Sequence, residues 1–262
     1  MKRPDIPANE EARQRALDES GLLDSAPDAA FDDITALVAA RLGVPICLVS
    51  LVDRDRQWFK SRHGLDATQT PRDVSFCGHV VFEGAPLVVE DATADARFAD
   101  NPLVAGQPHV RAYAGMPLAT EAGLTLGTLC AIDHVPRRFT PEDLGFLRAA
   151  ARLVASLIRH RTLDRLKDAE LRAALDAADA AVLFVDASGS VVWASRRAVD
   201  LLGIADPSAQ PDIAFATLFI EPAPVAEAVT AAIRERRSAH NLLFQVHART
   251  GAARAAHRHR PA

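Results

Sequence analysis

The sequence predicts an α+β protein with an antiparallel sheet in a larger first domain and a smaller second α+β domain. A chain of 262 residues with 49% hydrophobic residues is longer than one ordinary core requires. Segments with helical spacing flank a series of short β-branched runs joined by hairpin turns. After a long helical stretch, the strand-turn-strand pattern begins again over a shorter length.

Two helices open the chain. Residues 8–23 predict a short helix closed by Gly21, and a second helix begins after Pro27 and ends at Gly43, because glycine readily takes the left-handed conformation that ends a helix. The second helix has apolar residues at helical spacing, which predicts one buried face. These residues are Phe31, Ile34, Leu37, Val38 and Leu42.

Five strands are predicted in the first domain. The continuous apolar run PICLVSLVD at 45–53 indicates a central strand covered on both faces, and a short turn leads from it into RQWFKSRHGL. Between later strands lie the segment SFCGHVVF and a polar loop, 91–109, that is long for a simple connector. The remaining strands are predicted at 86–91, 112–120 and 127–133, the last two joined as a hairpin.

A long helix is predicted over residues 141–178. Thr140 supplies a capping hydroxyl, Pro141 takes the first helical position, and Asp143 is an acid three residues after the cap. The apolar stripe repeats about every 3.5 residues, as in a parallel dimer seam, so we expect a signalling and dimerisation helix in a homodimer. Packing of the helix on its own domain is the alternative. The outer part of the stripe is Leu163, Leu166, Leu171 and Leu175.

The second domain begins with two strands, AVLFVD at 181–186 and VVWAS at 191–195, followed by an amphipathic helix that ends at Gly203. A helical stretch at 222–238 and a strand-like segment at 241–248 come next. Residues 249–262 are basic and contain no acid, which predicts either a disordered tail or a truncated or frameshifted gene end.

Charge and composition restrict the partners. The net charge of −4 gives no overall positive field for nucleic acid or anionic lipid, so neither is an expected partner. The charged amino terminus has no apolar signal region, and no apolar run is long enough for a membrane span, which predicts a cytoplasmic protein. Three cysteines without CxxC spacing argue against a disulfide framework or a structural zinc site.

Six segments occur in an order that resembles a GAF domain over residues 10–162, of the type found in bacterial sensor kinases, diguanylate cyclases and phosphodiesterases. They are GLLDSAPDAAFDDIT, PICLVSLVDRDRQWFKSRHGL, TPRDVSFCGHVV, RFADNPLV, YAGMPL and LGTLCAID. The resemblance implies a six-stranded antiparallel sheet with helices behind it. It also implies a ligand-sized cavity on the other face, closed by the segment around Cys77 and the RFADNPLV loop.

Residues 172–248 resemble an incomplete PAS domain through AVLFVDASGSVVWASRRAVDLLG. Ser195 and Arg196 stand where that family usually has an Asn-Ala type of pair. Trp193 is the candidate pocket residue of this second domain.

A small apolar or mixed molecule is the expected ligand of the GAF cavity, and neither its identity nor any cofactor follows from the sequence. Core packing is the alternative role for each aromatic candidate. The candidate pocket residues are Trp58, Phe76, Cys77, His79, Phe98, Asn101, Tyr113, Met116 and Cys130.

The stretch Cys77-Gly78-His79 has four interpretations. A catalytic thiol needs a lowered pKa from a base or a helix amino terminus, but residues two positions apart on a helix point about 200° apart. A metal would need two further ligands, such as His109 or Cys130. Attachment of a bilin, as in GAF photoreceptors, would require a cysteine directly beside a histidine, whereas Gly78 separates Cys77 from His79. We therefore favour a structural cavity wall, with redox sensing by Cys77 and Cys130 as a further hypothesis.

The expected function is a sensory module without catalytic activity. The sequence contains no P-loop, HExxH, GxSxG, GG[DE]EF or histidine-kinase ATP-binding motif. We expect ligand occupancy to be relayed through the dimeric helix and the PAS-like domain to a kinase or cyclic-dinucleotide output protein. The alternatives are a cysteine-dependent reductase, similar to GAF-fold enzymes that reduce free methionine sulfoxide, and a dimerisation scaffold that senses nothing.

Overall fold

The computed structural model describes residues 1–186, 188–204, 207, 213–218 and 231. The chain divides into two units, Met1–Leu166 and Lys167–Ala262. Apart from Ala231, the helix predicted at 222–238, the strand-like segment at 241–248 and the basic tail at 249–262 lie outside the described residues.

A six-stranded antiparallel sheet forms the centre of the first unit, in the order β3-β2-β1-β6-β5-β4. The two central strands, β1 and β6, are buried along their whole length, which explains their continuous apolar sequences. The fold class predicted from the sequence is therefore confirmed for this unit. The strands are β1 Ile46–Val52, β2 Arg56–His63, β3 Gln69–Pro71, β4 Leu87–Val89, β5 Ala112–Ala119 and β6 Thr125–Asp133.

Helices and loops cover both faces of this sheet. The helices are α1 Glu10–Ser20, α2 Ala29–Leu42, α3 Phe76–Glu83, α4 Pro102–Ala105 and α5 Pro141–Ala177. One face packs against α1, α2 and the first part of α5 and forms the helix-side core. The other face packs against α3, α4 and the loop between β4 and β5 and forms the loop-side core.

Helix ends follow the capping residues in the sequence. Gly21 and Gly43 take left-handed conformations, with φ of 64° and 60°, and close α1 and α2. At the start of α5, the Asp143 amide donates to Thr140 Oγ1 at 3.1 Å, and the Thr140 amide donates to Asp143 Oδ2 at 3.0 Å. One helical residue departs from prediction, because Leu37 lies on the outer side of α2 and is exposed rather than buried.

The helix α5 runs through 37 residues. One face of its first part is buried, whereas Leu153, Leu163, Leu166 and Leu171 are exposed. The buried residues are Leu147, Ala150, Ala151, Val154 and Ile158. The predicted single helix is therefore present, and Leu163, Leu166 and Leu171 of its outer stripe are about half exposed within the described residues, while Leu175 is half-buried.

The second unit contains β7 Leu183–Val185 and β8 Val191–Ala194, which pair in antiparallel, and α6 Arg196–Leu202. Trp193 packs beside Phe184, with ring centroids 5.0 Å apart, and the Arg172 guanidinium lies 5.8 Å from the centroid of its indole. The resemblance of this unit to a PAS domain stays a prediction.

No helix in the described part of the chain combines the length and hydropathy needed to cross a bilayer.

Candidate functional site

A cavity of about 370 Å³ lies between the loop-side face of the sheet and the segments that cover it. Buried side chains form its inner end, whereas its rim consists of exposed residues such as Asp66, Gln107 and His134. This combination of apolar walls and a few polar groups suits a small molecule. The inner residues include Leu48, Phe59, Phe76, Cys77, Tyr113 and Ile132.

Cys77 reaches this cavity from the second position of α3. Ser75 begins that helix, because its Oγ accepts a hydrogen bond from the Gly78 amide at 2.9 Å. Two hydroxyl groups donate to Cys77 Sγ, that of Thr128 at 3.0 Å and that of Tyr113 at 3.4 Å. Cys130 on β6 brings its own Sγ to within 3.9 Å. The candidate thiol therefore lies beside two hydroxyl donors and a second thiol.

The three cysteines differ in their acidity. Burial acts to raise the pKa of Cys77, but hydrogen bonds from Cys130, Thr128 and Tyr113 outweigh it and lower the pKa to about 6. The hydrogen bond to Cys77, together with burial, raises the pKa of Cys130. Burial raises the pKa of Cys47 to about 12. Cys77 is thus the cysteine most disposed to ionise.

His79 points away from Cys77 and contacts the amino-terminal strap, which we define as residues 1–7. Its Nε2 lies 3.2 Å from the carbonyl oxygen of Lys2, and its ring meets Phe98 edge-on at 5.1 Å. Burial lowers the pKa of His79, so the neutral ring donates its Nε2 proton to that carbonyl. The arrangement does not fit a cysteine-histidine dyad or a metal shared by the two side chains.

Asn101, a predicted pocket residue, does not line the cavity and instead holds the loop around Leu103, which does. Its Oδ1 accepts from the Leu103 amide at 2.9 Å and begins α4, while its Nδ2 donates to the Val74 carbonyl at 2.9 Å. The RFADNPLV loop is therefore tied to the segment that precedes α3. Asn101 stabilises the wall that the sequence predicted there.

The aromatic candidates separate into two groups. Phe76 stacks on Phe98 with centroids 4.0 Å apart and lies 5.1 Å from Tyr113, and all three belong to the loop-side core. Trp58 and Met116 pack instead with the helix-side core, on the opposite face of the sheet. The prediction that Trp58 and Met116 line the pocket is therefore wrong. Successive side chains on a strand point to opposite faces, and these two point away from the cavity.

Two polar residues outside the predicted set, Gln57 and Thr70, line the cavity, and a third, Thr128, contacts Cys77. Thr128 shares a face of β6 with Cys130, two positions later, so strand periodicity could have located it. Gln57 is buried, and its amide donates to Thr70 Oγ1 at 2.6 Å. Gln57 also shares its face of β2 with Phe59.

Comparison with known proteins gives two kinds of similarity. A cyclic di-GMP phosphodiesterase of Pseudomonas aeruginosa is 45% identical over 159 residues, which cover 60% of this chain and 27% of that protein. The chain thus spans about a quarter of the length of this relative.

Solved structures with similar folds have lower identity. The GAF domain of an Acinetobacter phosphoenolpyruvate-protein phosphotransferase is 20% identical, with 57% of this chain and 92% of that chain covered and a TM-score of 0.45. A free methionine-R-sulfoxide reductase of Neisseria meningitidis, solved with its substrate, is 22% identical, with 63% and 99% covered and a TM-score of 0.44.

The family model of the GAF domain matches residues 26–158, just over half of the chain. The matched range contains all six strands of the sheet, α3 and the cavity residues. The chain therefore belongs to the GAF domain family.

Proposed function

We propose that the first unit is a sensory module that binds a small, uncharged molecule in the loop-side cavity and has no catalytic activity of its own. The cavity of about 370 Å³ carries this proposal. Its volume lies within the range of small-molecule sites, and apolar side chains form most of its inner wall.

The polar groups of the cavity indicate the chemistry of the ligand. Gln57 and Thr70 present an amide and a hydroxyl to the interior, and the Gln57 side-chain carbonyl accepts from Ser50 at 3.3 Å. The charged residue Asp66 lies at the exposed rim. A negative charge on the ligand would be desolvated at the inner end beside Cys77, where no Lys or Arg lines the cavity, which disfavours anionic molecules. The favoured ligand is a compact apolar molecule with one or two hydrogen-bonding groups.

Two observations suggest the output of the module, namely the similarity to a cyclic di-GMP phosphodiesterase and the long helix α5. A relative with 45% identity is a cyclic di-GMP phosphodiesterase, so we propose that this chain regulates cyclic di-GMP turnover through an output protein or domain. Ligand binding would favour one packing of the loop-side core and α5, and α5 would pass that change to a partner copy. The ligand shifts this equilibrium only by its difference in affinity for the two states.

Native mass spectrometry of the full chain tests the binding step. We expect a retained non-covalent small molecule in the wild-type protein. Leu103→Trp places a larger side chain on the cavity wall and should reduce retention at least about tenfold. Leu37→Trp is the matched control, because Leu37 is an exposed leucine on α2. Equal retention by both variants, or a ligand-free wild-type protein that binds nothing in a metabolite screen, would overturn the proposal.

A further inference from the structure

We propose that Cys77 and Cys130 form a dithiol that a small hydroperoxide, entering through the cavity, oxidises to an intramolecular disulfide. The two sulfur atoms lie 3.9 Å apart, and Cys77 lines the cavity. This modification site uses the wall of the proposed ligand cavity but does not need the ligand.

The surroundings assign different roles to the two thiols. Cys77 lies in the first turn of α3, where unpaired backbone amides favour negative charge, and accepts from Thr128 and Tyr113. Cys77 is therefore the sulfur that attacks the peroxide. Cys130 is fully buried behind it on β6 and is placed to attack the oxidised Cys77.

The chemistry balances without any group beyond the hydroperoxide. The Cys77 thiolate attacks the terminal oxygen, the O–O bond breaks, and the alcohol leaves with the proton that Cys77 lost, giving a sulfenic acid at Cys77. The Cys130 sulfur then bonds to Cys77 Sγ and displaces the hydroxyl, which leaves as water with the proton of Cys130. Two thiols are oxidised, and one hydroperoxide is reduced to an alcohol and water.

Disulfide formation requires a small movement of α3. The sulfur separation must fall from 3.9 Å to the bond length of about 2.05 Å. Cys130 is held in the central strand β6, which pairs with β1 and β5, so α3 is the element that moves. Phe76 precedes Cys77 and stacks on Phe98, so this movement changes the shape of the cavity wall.

Cys47 provides an internal control. It lies in β1 opposite Ala131, the neighbour of Cys130, but belongs to the helix-side core. It is as deeply buried as Cys130 and does not line the cavity. General oxidation of buried thiols would modify Cys47 as well, whereas the proposed reaction spares it.

The test treats the reduced full-length chain with hydrogen peroxide or tert-butyl hydroperoxide, alkylates it under denaturing conditions, and maps the cysteines by mass spectrometry. We expect the chain to lose two hydrogen atoms and retain one alkylated cysteine, Cys47, instead of three. A dithiol reductant should restore all three. Cys130→Ser should stop at a sulfenic acid that dimedone traps on Cys77, and Cys77→Ser should prevent oxidation of Cys130.

Three alkylated cysteines after treatment, oxidation of Cys47 at the same rate, or a disulfide between two chains would each overturn the proposal. A failure here leaves ligand retention in the untreated protein unchanged, so it is distinguishable from failure of the proposed sensory function.

Discussion

Cys77 and His79 show how two polar residues on one short helix acquire opposite environments. Cys77 faces the cavity and the hydroxyl donors, while His79 faces the strap. Gly78 lies between them, where a Cβ atom would come within 2.7 Å of both Pro4 Cγ and Ser75 Oγ. The glycine is needed because the strap crosses the helix directly above it. Cys77 and His79 resemble a catalytic dyad in the sequence, but in the structure each side chain has its own, separate partners.

The Tyr113 hydroxyl sets part of the acidity of Cys77. Tyr113→Phe removes one donor to Sγ and should raise the pKa of Cys77 by roughly one unit, since a hydrogen bond to a charged group contributes about 1.5 kcal/mol. The pH at which iodoacetamide reacts half-maximally with Cys77 should rise accordingly. Cys47 in the same sample is the control. An unchanged pH dependence would contradict the role assigned to the Tyr113 hydroxyl.

The sequence could place some of these residues but not their neighbours. The structure gathers Phe76, Cys77, Phe98, Tyr113 and Cys130 in the loop-side core. Their segments carry recognisable patterns, but their ligand contacts stay predictions. Trp58 and Met116 lie on the opposite face of the sheet, because aromatic or apolar character alone does not indicate which face of a strand a side chain occupies. The contact of Tyr113 with Cys77 joins residues far apart in the chain, which no local pattern encodes.

At the scale of elements, a buried ion network fixes α1 to the sheet. The Arg13 side chain is 1% exposed, and its guanidinium donates to the Val52 carbonyl at 2.6 Å and to Glu10. Arg72 binds the same carboxylate at 2.6 Å. One carboxylate thus serves two buried guanidinium groups. Burial acts to raise the pKa of Glu10, but hydrogen bonds from Arg13, Arg72 and Gln14 outweigh it and hold the pKa well below its usual range.

Glu10→Gln should lower the free energy of unfolding by about 2 kcal/mol at pH 7, because both guanidinium groups lose their charged acceptor. A carboxylate with a depressed folded-state pKa stabilises the protein above its unfolded pKa and loses that effect as the pH falls. The difference between wild type and variant should therefore shrink as the pH falls below about 4.5, the ordinary value.

Urea denaturation from pH 3 to 7 measures this difference. Glu11→Gln, an exposed neighbour on the same turn, is the control and should have little effect at any pH. A constant difference between wild type and Glu10→Gln over this range would contradict the assigned ionisation.

Most helices were predictable because particular residue types mark where they begin and end. Gly21, Gly43 and the Thr140 cap end or begin helices where the sequence indicated. The strand β3 escaped prediction, because its three residues, Gln69–Pro71, have no apolar alternation and exist as a strand only through pairing with β2. The predicted strand at 86–91 shortened to Leu87–Val89 for a related reason, since its ends find no partner on β5.

At the scale of the whole molecule, the exposed stripe of α5 supports the proposed homodimer. Leu153 is 64% exposed, and Leu163, Leu166 and Leu171 are between 44% and 51% exposed. Leucines repeated along one long helix at this exposure bury apolar surface when a second helix covers them. The reductase and scaffold alternatives, and the PAS-like character of the second unit, stay predictions.

The double variant Leu163→Glu/Leu166→Glu should weaken dimerisation by about a hundredfold, because it places charges in an apolar seam. Sedimentation equilibrium across micromolar concentrations measures this change, and circular dichroism checks that helix content is retained. Leu37→Glu on α2 is the matched control and should leave the dimer intact. A monomeric wild-type chain, or a dimer indifferent to the double variant, would contradict the assigned seam.

The helix α3 lies between the cavity and the amino-terminal strap at the surface. This arrangement can be used in protein engineering. Cys77 lies on its inner side, whereas Lys2 and Pro4 rest on its outer side, and the Lys2 amide also donates to the Arg97 carbonyl at 2.9 Å. A shift of α3 therefore moves a segment that is in contact with solvent. Because the Arg3 side chain is exposed, a solvent-sensitive fluorophore at that position would make the protein an optical biosensor that needs no label inside the cavity.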